Sequence, residues 1–208
     1  MQTSATTASD QHVPARQIRA VFDNHNLVVY QAYSPEIADP AVAVERFVPP
    51  FNLNRMTWIK PSFLWMMYRC GWATKPGQER VLAVTITRDG FEWALAHSSL
   101  SHYDPAVYAS HDDWTERKNT APVRIQWDPE RSLTLEPLDH RAIQIGVSGE
   151  AVRQYVNDWT VGISDITTLA HDIHKSVAAG DLAAAATKLP AERPYPLSED
   201  LQGVIGAA

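Results

Sequence analysis

The chain has 208 residues, and its hydrophobic share of 45% with 20% charged residues is typical of a folded globular protein and excludes wholesale disorder. Its net charge of -6 argues against broad non-specific binding to nucleic acid, which needs a surplus of Lys and Arg. The single cysteine excludes an internal disulfide, and the absence of an apolar run of ~20 residues argues against a membrane span, so we expect a cytoplasmic protein.

The first half of the chain predicts strands that alternate with short helices. Residues 1–14 are small and polar and predict a flexible tail. The segment LVVYQAY predicts a strand over 27–33, and Ser34, followed by proline and glutamate, predicts a helix whose cap oxygen Ser34 supplies. The remaining elements of this half are a short strand at 55–59, a helix from Pro61 to Gly71, a strand at 80–88 and a short helix after it.

The second half is predicted to begin with a long polar surface loop over residues 100–121. A hairpin turning at Asp128-Pro129 is expected within 123–138. The remaining expectations are a strand at 141–148, a helix capped by Ser148, a strand at 159–167, two helices broken at Gly180, and a frayed C-terminal segment over 191–208.

These elements lack regular alternation of strand and helix, which argues against a doubly wound parallel sheet. We therefore predict an α+β fold in which residues 15–190 form a single domain. Its centre is expected to be a bent or split β-sheet with flanking helices, built from strands at 27–33, 80–88, 141–147 and 159–165.

The segment RMTWIKPSFLWMMYRCGW, residues 55–72, concentrates three of the seven tryptophans and three basic residues without an acid. A core helix explains most of its apolar residues, because these recur at helical spacing. It does not explain Arg55, Lys60 and Arg69, or Trp58 beside a lysine. Planar rings and basic groups together suit a nucleotide or another phosphate-bearing ligand, since rings stack on a base and basic groups bind phosphate.

Other candidate chemistry is weaker. His171 and His174 are spaced to share one face of a helix, but no further ligand completes a zinc signature, so we expect no metal site. Cys70 follows a basic residue that would favour a thiolate, yet a lone cysteine in an apolar helix is more often a small core residue.

Four segments of the chain resemble one family, the domain of unknown function 4291. They are RQIRAVF with VYQAYSPEIA, RMTWIKPSFLWMMYRCGWA, GQERVLAVTITRDGFEWAL and RAIQIGVSGEAVRQYVNDW. The resemblance covers roughly residues 16–178 and implies no activity.

The order of motifs is also similar to that of the DarT-like ADP-ribosyltransferases, which modify DNA bases using NAD. That likeness implies NAD as substrate, with Gln31 and Tyr33 orienting the nicotinamide ribose, Arg55 or Lys60 holding the pyrophosphate, and Asp158 acting as the catalytic acid. The chain departs from the pattern, because Gln31 replaces a histidine and Asp158 is one methylene shorter than the usual glutamate.

Three classes of function stay open at this point: an NAD-dependent transferase with a nucleic-acid or other acceptor, a non-catalytic nucleotide- or partner-binding module with the same cleft, and a structural protein with an aromatic core. For the first two, we expect one cleft walled by Trp58 or Trp65 and formed by Gln31, Tyr33, Arg55, Lys60, Tyr68 and Arg69. An Asp158 side chain that points into this cleft would favour the transferase.

Overall fold

The computed structural model describes residues 13–207, so nearly all of the predicted tail, 1–14, lies outside the described residues. The described chain contains nine strands: β1 (Arg19–Ala20), β2 (Asn26–Tyr33), β3 (Thr57–Ile59), β4 (Arg80–Thr87), β5 (Ser98–Leu100), β6 (Val123–Arg131), β7 (Pro137–Val147), β8 (Thr160–Asp165) and β9 (Arg193–Pro194). Its α-helices are α1 (Pro35–Ala43), α2 (Phe63–Cys70), α3 (Arg88–Ala96), α4 (His111–Thr120), α5 (Glu150–Gln154), α6 (Thr167–Ala178), α7 (Leu182–Thr187) and α8 (Glu199–Ile205). A π-helical turn, Tyr155–Trp159, continues α5.

The strands form two main sheets, which confirms the predicted α+β fold with a split β-sheet. The first sheet has the order β2-β4-β8 and is antiparallel throughout. The second has the order β3-β7-β6-β5, in which only the pair β5 and β6 is parallel. The strands predicted at 27–33, 80–88, 141–147 and 159–165 are β2, β4, β7 and β8.

One antiparallel bridge between Tyr30 and Lys60 joins the two sheets. The Tyr30 amide donates to the Lys60 carbonyl over 2.7 Å, and the Lys60 amide donates to the Tyr30 carbonyl over 3.2 Å. Both bonds involve main-chain atoms only. The junction therefore sets the end of β3 against the middle of β2.

Apolar side chains pack on both faces of the first sheet. On one face, Leu27, Val29 and Val84 share a core with Ile125 and Ile145 of the second sheet. On the other face, the first sheet packs against α2, α6 and α7, with Phe63, Met67 and Ile173 among the buried residues. Helix α2 is thus held on the side of the sheet opposite to the main core.

The long loop predicted for 100–121 is wrong, because the structure places α4 within it. Ser110 caps this helix by accepting a hydrogen bond from the Asp113 amide over 3.1 Å, and its Arg117 donates to two carbonyls near the end of α3. The helix has no buried residue, so it lacks the apolar stripe that reveals most helices in a sequence.

The predicted hairpin at Asp128-Pro129 is also misplaced. Strand β6 continues through both residues, and Pro129 pairs with Arg141 of β7. The chain turns instead at 132–136, where Leu135 has a positive φ of 64° and the Ser132 amide donates to the Glu136 carbonyl. A proline fits here because the ladder is irregular between Pro129 and Arg131.

Two predicted helix caps are wrong in detail. The Ser34 side chain makes no capping hydrogen bond, although α1 begins directly after it. Ser148 donates its hydroxyl to the Pro122 carbonyl, and α5 begins two residues later, after Gly149. The break at Gly180 between α6 and α7 is as predicted.

The prediction of a frayed C-terminal segment is wrong for residues 191–207. Strand β9 pairs with β1, and α8 buries Ile205 in the main core. The indole nitrogen of Trp127 donates to the Ile205 carbonyl over 2.8 Å, which fixes the end of α8 on the second sheet. Across residues 13–207, none of the helices has the length and apolar character that crossing a membrane requires.

Candidate functional site

A cleft of about 550 Å³ lies beside the junction of the two sheets, within the size range of small-molecule sites. It is lined by both sheets, by α2 and by the loop that follows α2. It brings together six of the eight site residues predicted from the sequence: Gln31, Tyr33, Arg55, Trp58, Lys60 and Arg69. The other lining residues are Ala32, Ile37, Met56, Thr57, Met66, Pro76, Gly77, Gln78, Gln126 and Gln144.

Three cations face this cleft without a carboxylate among its described lining residues. Arg55 and Arg69 are exposed, whereas Lys60 is buried at 5% exposure. None of the salt bridges formed within residues 13–207 involves these three side chains. The cleft therefore carries a positive charge that the surrounding residues do not neutralise by direct pairing.

Lys60 is held in an environment that disfavours its charge. Burial, and secondarily the nearby Arg69, lower the pKa of Lys60 to about 8, while Asp128 acts in the opposite direction. Among residues 13–207, its Nζ makes one hydrogen bond, a 3.3 Å contact to the Trp58 carbonyl. An ammonium has three donors, so an anion in the cleft would both satisfy the remaining donors and stabilise the charge.

The floor of the cleft is a hydrogen-bond network centred on Gln31, which is only 2% exposed. Its Nε2 lies 2.8 Å from both the Tyr33 hydroxyl and Thr57 Oγ1, and its Oε1 accepts from the Tyr155 hydroxyl over 2.7 Å. Tyr155 is fully buried beneath it. The network fixes the Gln31 amide from both sides, which explains why a glutamine is accommodated at this depth.

The two hydroxyls above Gln31 leave one hydrogen for the cleft. Tyr33 and Thr57 lie 2.7 Å apart, so one of them donates to the other. Because both accept from Gln31, the second hydroxyl hydrogen has no acceptor within this network. Burial raises the pKa of Tyr33 to about 12, so its phenol stays neutral near pH 7 and acts as a donor rather than as a base.

The apolar wall of the cleft is formed by Met56, Trp58 and Met66. Trp58 pairs with Gly146 across β3 and β7, and a Cβ atom on this glycine would lie 2.6 Å from Met56 Sδ and 3.0 Å from the Trp58 ring. The close approach explains the glycine. Both side chains consequently lie close to the backbone of β7 at this position.

Two of the predicted site residues lie elsewhere. Tyr68 does not line the cleft: its ring stacks on Trp65 at 5.0 Å, with the Arg131 guanidinium 3.6 Å above it. Tyr68 and Trp65 lie on α2 at positions turned away from Met66 and Arg69, so Trp58, not Trp65, forms the wall. Asp158 is exposed on the π-helical turn and is also absent from the lining.

Two of the residues considered as metal or thiol candidates, His174 and Cys70, pack against other side chains, whereas His171 is exposed on α6. His174 stacks on Trp72 with ring planes 1° apart and centroids at 5.3 Å. Cys70 is buried in the core behind α2, and this burial raises the pKa of its thiol. No group of three or more potential metal-ligating side chains occurs within residues 13–207.

Comparison with protein families agrees with the motifs quoted above. The sequence profile of the domain of unknown function DUF4291 matches residues 17–195, which is most of the chain. The chain belongs to the DUF4291 family. No curated protein matches it. The DUF4291 description names no activity, so the chemistry of the cleft is the basis for any functional proposal.

Sequence reasoning missed the amide side of this DUF4291 cleft. Gln126 and Gln144 are a directly opposed pair on β6 and β7, and both line the cleft. Their signal is present in the sequence, because each is a polar residue between two apolar ones in a strand. Recognising the pair requires the register of β6 against β7. A turn predicted at Asp128 gives the wrong register, so the two glutamines are not paired in the prediction.

The end of α2 remote from Arg69 holds two carboxylates. Glu130 accepts hydrogen bonds from the Ser62 hydroxyl and the Arg131 amide, at 2.9 and 2.8 Å. Glu192 accepts from the Phe63 amide, at 2.7 Å, in the first turn of the helix. Burial, and then the neighbouring Glu130, raise the pKa of Glu192 to about 8, and burial likewise raises the pKa of Glu130.

Proposed function

We propose that the cleft binds a nucleotide or a closely related phosphate-bearing small molecule. The observation that carries this proposal is the convergence of Arg55, Lys60 and Arg69 on one cleft whose described lining contains no carboxylate. Charged donors bind phosphate oxygens strongly, and a buried cation without an anionic partner is costly. A bound phosphate would remove that cost.

The wall and the floor suit the rest of a nucleotide. The half-buried Trp58 presents an aromatic ring on which a base can stack. The spare hydroxyl hydrogen of the Tyr33 and Thr57 pair can donate to a phosphate or ribose oxygen. These groups lie in the same cleft as the cations, so one ligand can contact all three kinds of side chain.

A second candidate, the NAD-dependent transferase, requires a carboxylate near the nicotinamide ribose. The exposed position of Asp158 outside the cleft favours the binding module over the transferase. Gln31 and Tyr33 do lie in the cleft, as the transferase hypothesis expects, but Gln31 is engaged with Tyr155, Tyr33 and Thr57. The transferase, with a nucleic-acid base or another acceptor, remains the competing hypothesis for the experiment below.

The first experiment measures binding to the full chain. Tryptophan fluorescence and thermal unfolding are followed during titration with NAD, AMP, ADP and inorganic phosphate. We expect saturable quenching that is weakened by added salt, and a stabilisation of ~2.7 kcal/mol at a ligand concentration of a hundred times Kd. A Trp58→Phe variant should lose most of the quenching, whereas Trp114→Phe should keep it. Absence of any response to all four probes would refute the proposal.

Charge variants then locate the ligand. Arg55→Ala and Lys60→Ala should each weaken AMP binding roughly 10- to 100-fold, because a charge-assisted hydrogen bond contributes ~1.5–3 kcal/mol. Arg153→Ala, an exposed arginine on α5 outside the cleft, is the matched control and should leave Kd unchanged. Equal effects of all three substitutions would indicate non-specific attraction to charge.

Nicotinamide release distinguishes the two candidate functions. NAD is incubated with the protein, with and without single-stranded DNA, and free nicotinamide is measured. The binding module predicts NAD binding without release. Release that disappears in Asp158→Ala, with NAD affinity retained, would instead establish the transferase hypothesis and its acid.

A further inference from the structure

The glutamine pair in the cleft is held by one neighbouring carboxylate, that of Asp128. Asp128 Oδ1 accepts from Gln126 Nε2 over 2.9 Å, and Asp128 Oδ2 accepts from Gln144 Nε2 over 2.7 Å. Asp128 itself does not line the cleft, whereas both glutamines do. A single side chain, two residues along β6 from Gln126, therefore fixes two opposed carboxamides.

This arrangement determines which way the amides face. A carboxylate only accepts hydrogen bonds, so each glutamine turns its nitrogen to Asp128 and its oxygen away. Within residues 13–207, neither Oε1 atom accepts a hydrogen bond from another protein group. Donation to the carboxylate also polarises each amide and makes its oxygen a stronger acceptor.

The two glutamines lie next to Lys60. Ile59 pairs with Ile145, and continuing this register by one residue sets Lys60 beside Gln144, which in turn faces Gln126. Neighbouring strands are about 4.8 Å apart, so the row from Lys60 to Gln126 extends over about 10 Å. That distance is within reach of a single nucleoside phosphate.

We infer that Gln126 and Gln144, oriented by Asp128, bind the ribose hydroxyls of the ligand whose phosphate contacts Lys60. This inference rests on the proposed nucleotide-binding function and makes it more specific: the preferred ligand is a ribonucleotide with free hydroxyls. A ligand without donors at this position would leave two polarised amide oxygens unpaired and buried beneath it. Sites built to bind a hydroxyl reject analogues that lack it for this reason.

The test compares AMP, 2′,3′-dideoxy-AMP, IMP and inorganic phosphate by calorimetric titration of the full chain. We expect AMP to bind about 10- to 100-fold more tightly than the dideoxy analogue, and IMP to bind as AMP does. Gln144→Leu and Gln126→Leu should reduce this preference to about threefold or less, while affinity for inorganic phosphate stays within about threefold of wild type.

Asp128→Asn is a second variant that tests the preference for AMP over the dideoxy analogue, and its expected effect is smaller. An asparagine has one acceptor oxygen, so only one glutamine keeps its orientation, and the preference should fall to an intermediate value. The matched control is Gln154→Leu on α5, outside the cleft, which should change neither affinity nor preference. Thermal unfolding of each variant shows whether it folds.

Failure of the inference differs from failure of the proposed function. Tight binding of all nucleotides without a preference for hydroxyls would overturn the role of the glutamines and leave nucleotide binding intact. A preference for AMP over IMP that is lost in Gln144→Leu would assign the pair to the base amine and overturn the ribose assignment. Lack of binding by every probe would overturn both.

Discussion

The two ends of α2 lie beside groups of opposite charge. At its first turn, Glu130 and Glu192 accept hydrogen bonds from Ser62, from the Arg131 amide and from the Phe63 amide. At its last turn, Arg69 faces the cleft together with Lys60, and neither forms a salt bridge within residues 13–207. The acids accept hydrogen bonds from donors of the protein, whereas the cations line the cleft.

The helix dipole favours this distribution, since acids stabilise the first turn of a helix and cations the last. The comparison teaches that a perturbed pKa alone does not mark a binding site. Glu192 and Lys60 both have a pKa of about 8, one raised and one lowered by burial. What separates them is position, because Glu192 accepts from an amide in the first turn of α2, whereas Lys60 lines the open cleft.

The largest expected effect concerns Glu192 at the acidic end. Its pKa is raised from 4.5 to about 8, so the folded state binds the proton more tightly than the unfolded state. The free energy of unfolding should therefore fall as pH rises from about 4.5 to about 8, by at most ~1.4 kcal/mol per pH unit for this group. In Glu192→Gln this part of the slope should vanish, as measured by urea denaturation between these pH values.

Glu116→Gln is the control for this slope. Glu116 is exposed on α4, and its replacement should leave the pH dependence of the wild type unchanged. A Glu192→Gln variant with the wild-type slope would show that the carboxylates at the start of α2 are as open to water as those on the surface.

The second effect concerns Lys60 at the basic end. Its pKa is lowered from 10.5 to about 8, so its contribution to stability rises with pH between these two values, opposite in sign to that of Glu192. Lys60→Met should remove this rise and increase the free energy of unfolding at pH 7 by about 1–3 kcal/mol, because it removes an unpaired buried charge. Chemical denaturation at about pH 7 and pH 10 measures the stability of each variant and its change with pH.

Arg153→Met serves as the surface control and should change stability by no more than about 0.5 kcal/mol. Destabilisation by Lys60→Met would mean that the lysine is a structural group with partners of its own, and the contrast between the two ends of α2 would be lost.

The smallest effect compares two serines that each precede a helix. Ser62 Oγ accepts from the Trp65 amide over 3.1 Å and donates to Glu130, whereas Ser34 makes no capping hydrogen bond. Ser62→Ala should therefore lower the free energy of unfolding by about 1–2 kcal/mol, and Ser34→Ala by less than about 0.5 kcal/mol. Thermal or urea unfolding of the two variants measures the difference, and equal losses would contradict it.

Much of the fold and half of the cleft could be predicted from local sequence. Strands such as β2 and β4 carry the β-branched and aromatic residues that suit a sheet, and the basic segment 55–72 is continuous in the chain. The amide half could not be predicted, because Gln126 and Gln144 meet through a register set by a distant turn. Tyr68 was misassigned because the rotation of α2 relative to the sheets is fixed by tertiary packing.

The junction between the two sheets has a consequence for how this cleft can change. Its two hydrogen bonds use only the main chain of Tyr30 and Lys60, so the side chain at position 60 takes no part in these two bonds. Any amino acid other than proline can donate and accept there in the same way. The side chain at position 60 can thus be varied, in evolution or in a designed library, with both of these main-chain hydrogen bonds retained.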